Sequence, residues 1–340
     1  MSLATPPGGG PLVSVLMPFR DAGETVEVAA ASILAQEGVA LELVAVDDGS
    51  RDRGPELLRA MARSDRRLRI ERGDGKGIVA ALGRGLAAAR GEVVARMDAD
   101  DVALPGRLFR QAATLASDAC LAAVGVRVEP LGPCGEGMRL YLAWQNALVT
   151  ADDHARELFV ESPLCHPSVA LRREALEAVG GWRDPPWPED YDLWLRLEAA
   201  GWGLAKVPEV LLQWRQREGS LTWTDPRYSE ERIREARAFY LAPKLVRRGR
   251  PVTVWGAGQT GKRLARALEA HGIRASRFVD IDPRKVGRTA RGVPVIAPAA
   301  LEAGEDTLVV AVGARGARAE VRAQLVGRGF VEGEDFVCAS

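Results

Sequence analysis

Short apolar runs that end on charged or turn-forming residues alternate, over the first half of the chain, with stretches of helical period. Val13-Ser14-Val15-Leu16-Met17, closed by Pro18, predicts a strand, and Glu24 to Gln36 predicts a helix with Val26, Ala29, Ala30, Ile33 and Leu34 on one face. A second strand, Leu41 to Val46, runs into Asp47-Asp48-Gly49-Ser50, where Gly49 permits a tight turn. Gly77 to Arg90 keeps helical spacing despite its glycines, with Gly91 as its stop. Val93-Val94-Ala95 then predicts a buried strand giving out into Arg96-Met97-Asp98-Ala99-Asp100-Asp101. Leu104-Pro105-Gly106-Arg107 turns into a further helix with Leu108, Ala112 and Leu115 buried. Arg63 to Arg69 is basic and reads as a solvated helix end or loop.

Past a Gly/Pro loop at 131–137, two stretches carry chemistry: Pro163-Leu164-Cys165-His166-Pro167-Ser168-Val169, and Gly180-Gly181-Trp182-Arg183 followed by Trp187-Pro188-Glu189-Asp190. The latter opens a helix, because Leu193, Leu197 and Ala200 share a face and Gly201 ends it. Arg227 to Arg248 predicts a charged connecting helix interrupted at Pro243. Val252 to Trp255 then enters Gly256-Ala257-Gly258-Gln259-Thr260-Gly261, a G-x-G-x-x-G between strand and helix, and a strand some twenty residues later ends on Asp280. The expected class is α/β throughout: a lead-in at 1–11, a large domain at 12–226, a connector at 227–250 and a small Rossmann-like domain at 251–340.

Charge balances at 46 basic and 46 acidic residues, which argues against nucleic acid as a partner. No apolar run is long enough to span a bilayer, and the first eleven residues lack a signal-peptide pattern, so a cytoplasmic protein is expected, with peripheral contact to the inner membrane face left open. Four cysteines at no zinc-like spacing fit free thiols.

Three carboxylates at a strand end repel one another unless a cation lies among them, and hard oxygen donors suit Mg²⁺ or Mn²⁺. The simpler account has Asp101 capping a turn and its neighbours solvated; for Asp47-Asp48 it is an Asx turn or a cap. Glu189 and Asp190 stand at a helix N-terminus, where the dipole favours ionised carboxylate, and capping alone would explain one of them. A lone imidazole such as His166 is more often a hydrogen-bonded packing residue, and the tryptophans at 182, 187, 194, 202, 214 and 223 are more often core than a stacking platform for sugar.

Pro18-Phe19-Arg20, Val46 to Ser50, Gly77 to Arg90 and Ala95 to Arg107, in that order and spacing, resemble family 2 glycosyltransferases of the GT-A fold. The resemblance implies a nucleotide-sugar donor held by Pro18, Phe19, Arg20, Asp48 at the base and Asp98 near the ribose. It implies Asp100 on a metal bridging the diphosphate and Asp190 as the base that deprotonates the acceptor hydroxyl. Glu189, His166 and Arg217 follow as secondary site residues, the last standing where many relatives carry histidine. With one base and no second nucleophile, inversion is expected; a UDP-sugar is the expected donor and a glycan or lipid-linked glycan the acceptor. Arg20-Asp21 departs from the family's Tyr-Asn. The tail, with Gly256, Gly258, Gly261 and Asp280, resembles small nucleotide-binding-type domains, for which NAD, another nucleotide, or a structural role all stay open. The competing function classes are an NAD(P)-dependent oxidoreductase using those glycines and a noncatalytic glycan-assembly scaffold.

Overall fold

The computed structural model describes residues 10–216 and 224–340, and Arg217 and Trp223 lie outside them. The described residues form two compact units: one holds the chain to Ala155, Pro163–Pro185 and Glu189–Thr224; the other holds Arg156–Ser162, Pro186–Pro188 and Asp225–Ser340. Both are α/β.

The strands of the first unit are β1 (Val13–Phe19), β2 (Leu41–Asp47), β3 (Leu68–Arg72), β4 (Val93–Arg96), β5 (Val102–Ala103), β6 (Leu121–Leu131), β7 (Ala170–Arg172) and β8 (Gly203–Arg215). They form one sheet in the order β3-β2-β1-β4-β7-β6-β8-β5. β1 to β4 are parallel to one another, whereas β7 runs antiparallel to β4 and β6, and β5 antiparallel to β8. Near-continuous burial along β1 and β2 is what a parallel strand covered on both faces requires. The helix Val26–Leu34 buries Val26, Ala29, Ala30 and Ile33, the stripe its periodicity predicts, with Leu34 at the margin. The helix Ile78–Ala88 lies close on the sheet through Gly85, where a Cβ would press within 3.3 Å of Leu16 and Val46. The helix Arg107–Ser117 buries Leu108, Ala112 and Leu115 as expected.

Register decides where the chemistry goes. Phe19 pairs with Asp47 and Leu16 with Arg96, so β1, β2 and β4 all end on the same edge and deliver Arg20, Asp48 and Asp98 to it. That carboxyl edge is where open parallel sheets bind ligands.

Three local expectations change. Strand β1 runs through Pro18 to Phe19; its ladder with β4 stops at Leu16, so the proline's missing N–H takes no bond from that side. Arg69 is not merely solvated but lies in β3, half-buried, with Nη1 donating to the Ala88 carbonyl at 2.9 Å and facing the buried Glu42. The connecting helix is continuous from Glu230 to Arg248 despite Pro243. Burial of Ala236, Ala238, Leu241, Ala242 and Leu245 holds it through the lost hydrogen bond, and Gly249 in the left-handed region ends it.

The second unit's strands are β9 (Val252–Trp255), β10 (Ala275–Val279), β11 (Thr289–Ala290), β12 (Val293–Ile296), β13 (Thr307–Val310) and β14 (Phe336–Cys338), ordered β11-β12-β10-β9-β13-β14. All pairings are parallel except β11 with β12. Among the described residues no helix is long and apolar enough to cross a membrane, and the four cysteines are free.

Candidate active site

The end of β2 builds two different carboxylates. Asp47 Oδ1 accepts from the Ser50 amide at 2.8 Å, an Asx turn that the local sequence accounts for. Asp48 is held at its own amide by the Phe19 carbonyl, 2.9 Å away, and its Oδ2 accepts from the Gly77 amide at 2.9 Å. Its Oδ1 is buried with no partner in the chain. An unpaired buried acceptor costs on the order of 1–3 kcal/mol, which a ligand N–H or O–H would recover. The loop Gly73-Asp74-Gly75-Lys76-Gly77 wraps this residue: Gly77 has φ +93°, and a Cβ at Gly73 would crowd Asp48 Oδ1 at 3.2 Å. Phe19 is buried in the core, Pro18 is half-buried and Arg20 is exposed. Asp21, with φ +51°, accepts from the Arg51 amide at 2.7 Å. Asp21 and the loops after β1 and β2 line an open pocket of about 470 Å³ that none of Asp48, Asp98, Asp100 or Asp190 lines.

At the end of β4 the three aspartates divide. Asp101 is 1% exposed and its Oδ1 accepts from the Arg215 amide at 2.8 Å, tying the loop to the end of β8. Burial first, then the Asp98 and Asp100 charges, push its carboxyl well above the usual range. Asp101 is therefore a strut, which the simpler reading of the motif half anticipates, though it braces a distant strand and not the next turn. Asp98 and Asp100 are partly exposed. Asp98 forms an ion pair with Arg96, and the Asp100 carbonyl accepts from Arg215 Nε at 2.9 Å.

Arg96 is 2% exposed, and its Nε has no hydrogen-bond partner. Burial opposes its charge, but Asp98, Asp101 and Glu189 keep the guanidinium protonated above its usual range. The Asp-x-Asp loop and the Glu189-Asp190 helix start thus act on one buried cation. Arg107, fully buried, braces the same region: Nη2 donates to the Arg96 carbonyl at 2.7 Å and to the Pro167 carbonyl at 2.6 Å. Pattern alone assigns no role to either arginine; the available signal was a charge within a buried apolar run and another just past the turn.

The helix Glu189–Ala199 opens on two acids, of which Asp190 stays partly exposed. Glu189 is wholly buried. His166 Nε2 accepts from Trp182 Nε1 at 3.0 Å, and His166 Nδ1 faces Glu189 Oε1 at 3.6 Å. Asp190 Oδ1 accepts from the Tyr191 amide at 2.7 Å. Burial, then the Glu189 charge, raises the Asp190 carboxyl to about 7. Of the other tryptophans, Trp194 is core and Trp187 packs against Phe239 and Tyr240 in the second unit.

Among the described residues no three His, Cys, Asp or Glu side chains are grouped as a metal cage. Asp98 and Asp100 nevertheless fit Mg²⁺ or Mn²⁺. Both are partly exposed oxygen donors, and such ions are commonly held by one or two carboxylates with phosphate oxygens and water completing the shell.

In the second unit Gly256 (φ +121°) and Gly261 are required by packing, since a Cβ on them would strike the Ala311 and Gly256 carbonyls respectively. Gly258 precedes the helix Gln259–Glu269 in open space. Asp280 is saturated by its own chain: Oδ2 accepts from the Ala257 amide at 3.0 Å and Lys285 Nζ at 2.9 Å, and Oδ1 from the Asp282 amide at 3.0 Å.

Residues 14–180 match the family described as Glycosyl transferase family 2, and residues 248–327 the family described as CoA binding domain. EpsE of Bacillus subtilis, named as a glycosyltransferase, is 30% identical over 213 residues, which cover 61% of this chain and 74% of that protein. The amylovoran biosynthesis glycosyltransferase AmsE of Erwinia amylovora is 30% identical over 137 residues, covering 40% of this chain and 50% of that protein. Among solved structures, S. aureus TarS 1-349 in complex with UDP-GlcNAc aligns with a TM-score of 0.55 at 16% identity, over 76% of this chain and 72% of that one. The mannosyltransferase PcManGT from Pyrobaculum calidifontis, in complex with GDP-Man and Mn²⁺, aligns at 0.50 and 23% identity, over 72% and 66%.

Proposed function

Since the chain belongs to glycosyltransferase family 2 and carries a GT-A-like sheet followed by a CoA-binding-type domain, we propose that it is an inverting transferase of polysaccharide assembly. It moves a hexose from a nucleotide-diphosphate donor, a UDP-sugar, to a hydroxyl of a glycan or lipid-linked glycan at the cytoplasmic face of the membrane. The names of the relatives support the polysaccharide setting, and the UDP-GlcNAc bound to TarS supports the base. The observation that carries the reading is the convergence on Arg96. Asp98 at a strand end pairs with that buried guanidinium, and Asp101 beside it and Glu189 at a helix start, about ninety residues on, add to the field that favours its charge.

In this reading Asp48 offers its unpartnered oxygen to the base and the loop 73–77 shapes the space beside it. Asp98 orients the ribose from its pairing with Arg96. Asp100 would hold the cation, with Asp98 beside it; the ion, when bound, neutralises charge gathering on the departing diphosphate. Asp190 takes the proton of the acceptor hydroxyl as its oxygen attacks the anomeric carbon, and a carboxyl titrating at about 7 is well matched to that task near neutral pH. The reading assigns a single base and no separate nucleophile, which is why inversion is proposed. The Gly256 loop and Asp280 serve structure in this reading, because the acid that would hold a ribose is already committed. Among the described residues no catalytic group for hydride transfer stands out beside that loop, which disfavours an oxidoreductase.

A panel of nucleotide sugars, with and without Mn²⁺, read by thermal shift and by release of nucleoside diphosphate, tests the proposal. A cognate donor stabilises the fold by mass action and is turned over with metal. No stabilisation and no turnover with any donor would refute it and favour a noncatalytic scaffold.

A further inference from the structure

Behind the Glu189-Asp190 pair lies a chain of buried groups that the reaction as proposed does not use. Trp182 and His166 are each 7% exposed and Glu189 is 0% exposed. An indole N–H can only donate, so the 3.0 Å contact from Trp182 Nε1 makes His166 Nε2 an acceptor. Burial, then the Arg96 charge, keeps the imidazole below its usual value and therefore neutral near pH 7. A neutral imidazole accepting at Nε2 carries its proton on Nδ1, and Nδ1 faces Glu189 Oε1 at 3.6 Å. The ring is held edge-on to Trp194, with centroids 6.2 Å apart at 85°, so it cannot turn away without displacing a buried indole.

We propose that Trp182 and His166 are positioning residues: together they fix Glu189 as a carboxylate beside Asp190 and so set the proton affinity of the catalytic base. This rests on the reading of Asp190 as that base. The groups that bear on Asp190 are Glu189 and the Tyr191 amide from its own helix, Arg96 from β4 and Cys165 from the turn before His166. Glu189 raises the proton affinity and Arg96 lowers it, so losing the Glu189 charge shifts Asp190 downward. Deleting the Nδ1 donor has the same sign, because a buried carboxylate that loses its facing donor takes up a proton more readily and ceases to act on its neighbour.

The test is the pH dependence of kcat/KM for sugar transfer by the full chain. In Glu189→Gln and His166→Phe the acid limb is expected to move down by about one pH unit. Trp182→Phe, which deletes only the indole N–H, moves it the same way by less, and carries the test if His166→Phe does not fold. His166→Asn, whose amide N–H can stand in for Nδ1, restores the limb; the double variant His166→Phe/Glu189→Gln shifts it no further than Glu189→Gln alone. Donor affinity, read by thermal shift, stays within about twofold throughout. An acid limb unmoved in both His166→Phe and Trp182→Phe, while Glu189→Gln moves it, overturns the relay alone. Unchanged turnover in Asp190→Asn overturns the base assignment and the relay with it.

Discussion

The carboxyl edges of the two sheets invite comparison, because both end a parallel strand in an acid beside a glycine loop and a helix. In the first sheet Asp48 keeps a buried oxygen with no partner, and Asp190 is pushed up to about 7 by burial and a like charge. In the second, burial works against the Asp280 charge, but Lys285 and the Asp282 and Ala257 amides outweigh it and hold the carboxyl below its usual value. The first edge keeps a buried acceptor oxygen on Asp48 without a partner in the chain, and burial with like charge raises Asp101 and Asp190. The second has closed its own bonds. A strand-end acid and a glycine motif therefore mark a ligand site only where the chain leaves the acid something to bind.

That contrast can be broken at several points. Asp190→Asn should cut transfer by about 10³-fold with donor binding retained, measured by turnover and thermal shift side by side. Equal activity would leave Asp190 without the role proposed for it. Asp100→Asn should lower metal-dependent turnover by about 10²-fold, seen in a Mn²⁺ titration of nucleoside diphosphate release. Asp48→Asn turns one of the acceptor oxygens proposed for the base into a donor and should weaken donor binding by about tenfold while leaving kcat near the parent's. For the unaltered protein kcat/KM should rise with pH and level off above about 7, because the base must be deprotonated; below that it falls about tenfold per unit. A limb near pH 4 would mean that the buried environment does not raise Asp190. Smallest in transfer, Asp280→Ala should leave activity within about twofold but lower Tm through a loss of about 1–3 kcal/mol, since two amides and Lys285 lose their acceptor.

Alternating apolar runs and helical stripes were enough to read the α/β class, the strand-end positions of Asp48, Asp98 and Asp100, and the helix start at Glu189. These depend on local period and on turn residues, which neighbours in sequence decide. Proline was the less dependable sign. Pro18 lies inside β1 and Pro243 inside a helix, because burial on either side outweighed one missing N–H.

What tertiary structure alone decided is which of these acids are spent. Asp101 is anchored through one oxygen by the Arg215 amide, 114 residues away, and Asp280 is taken up by a lysine and two amides, whereas the loop from Gly73 to Gly77 reaches only one oxygen of Asp48. The roles of Arg96 and Arg107, and the alignment of Trp182, His166 and Glu189, likewise arise from register and burial. Sequence determines which groups a strand or helix carries to an edge. The hydrogen bonds and charges that meet there come from distant segments, and they determine which group is left to do chemistry.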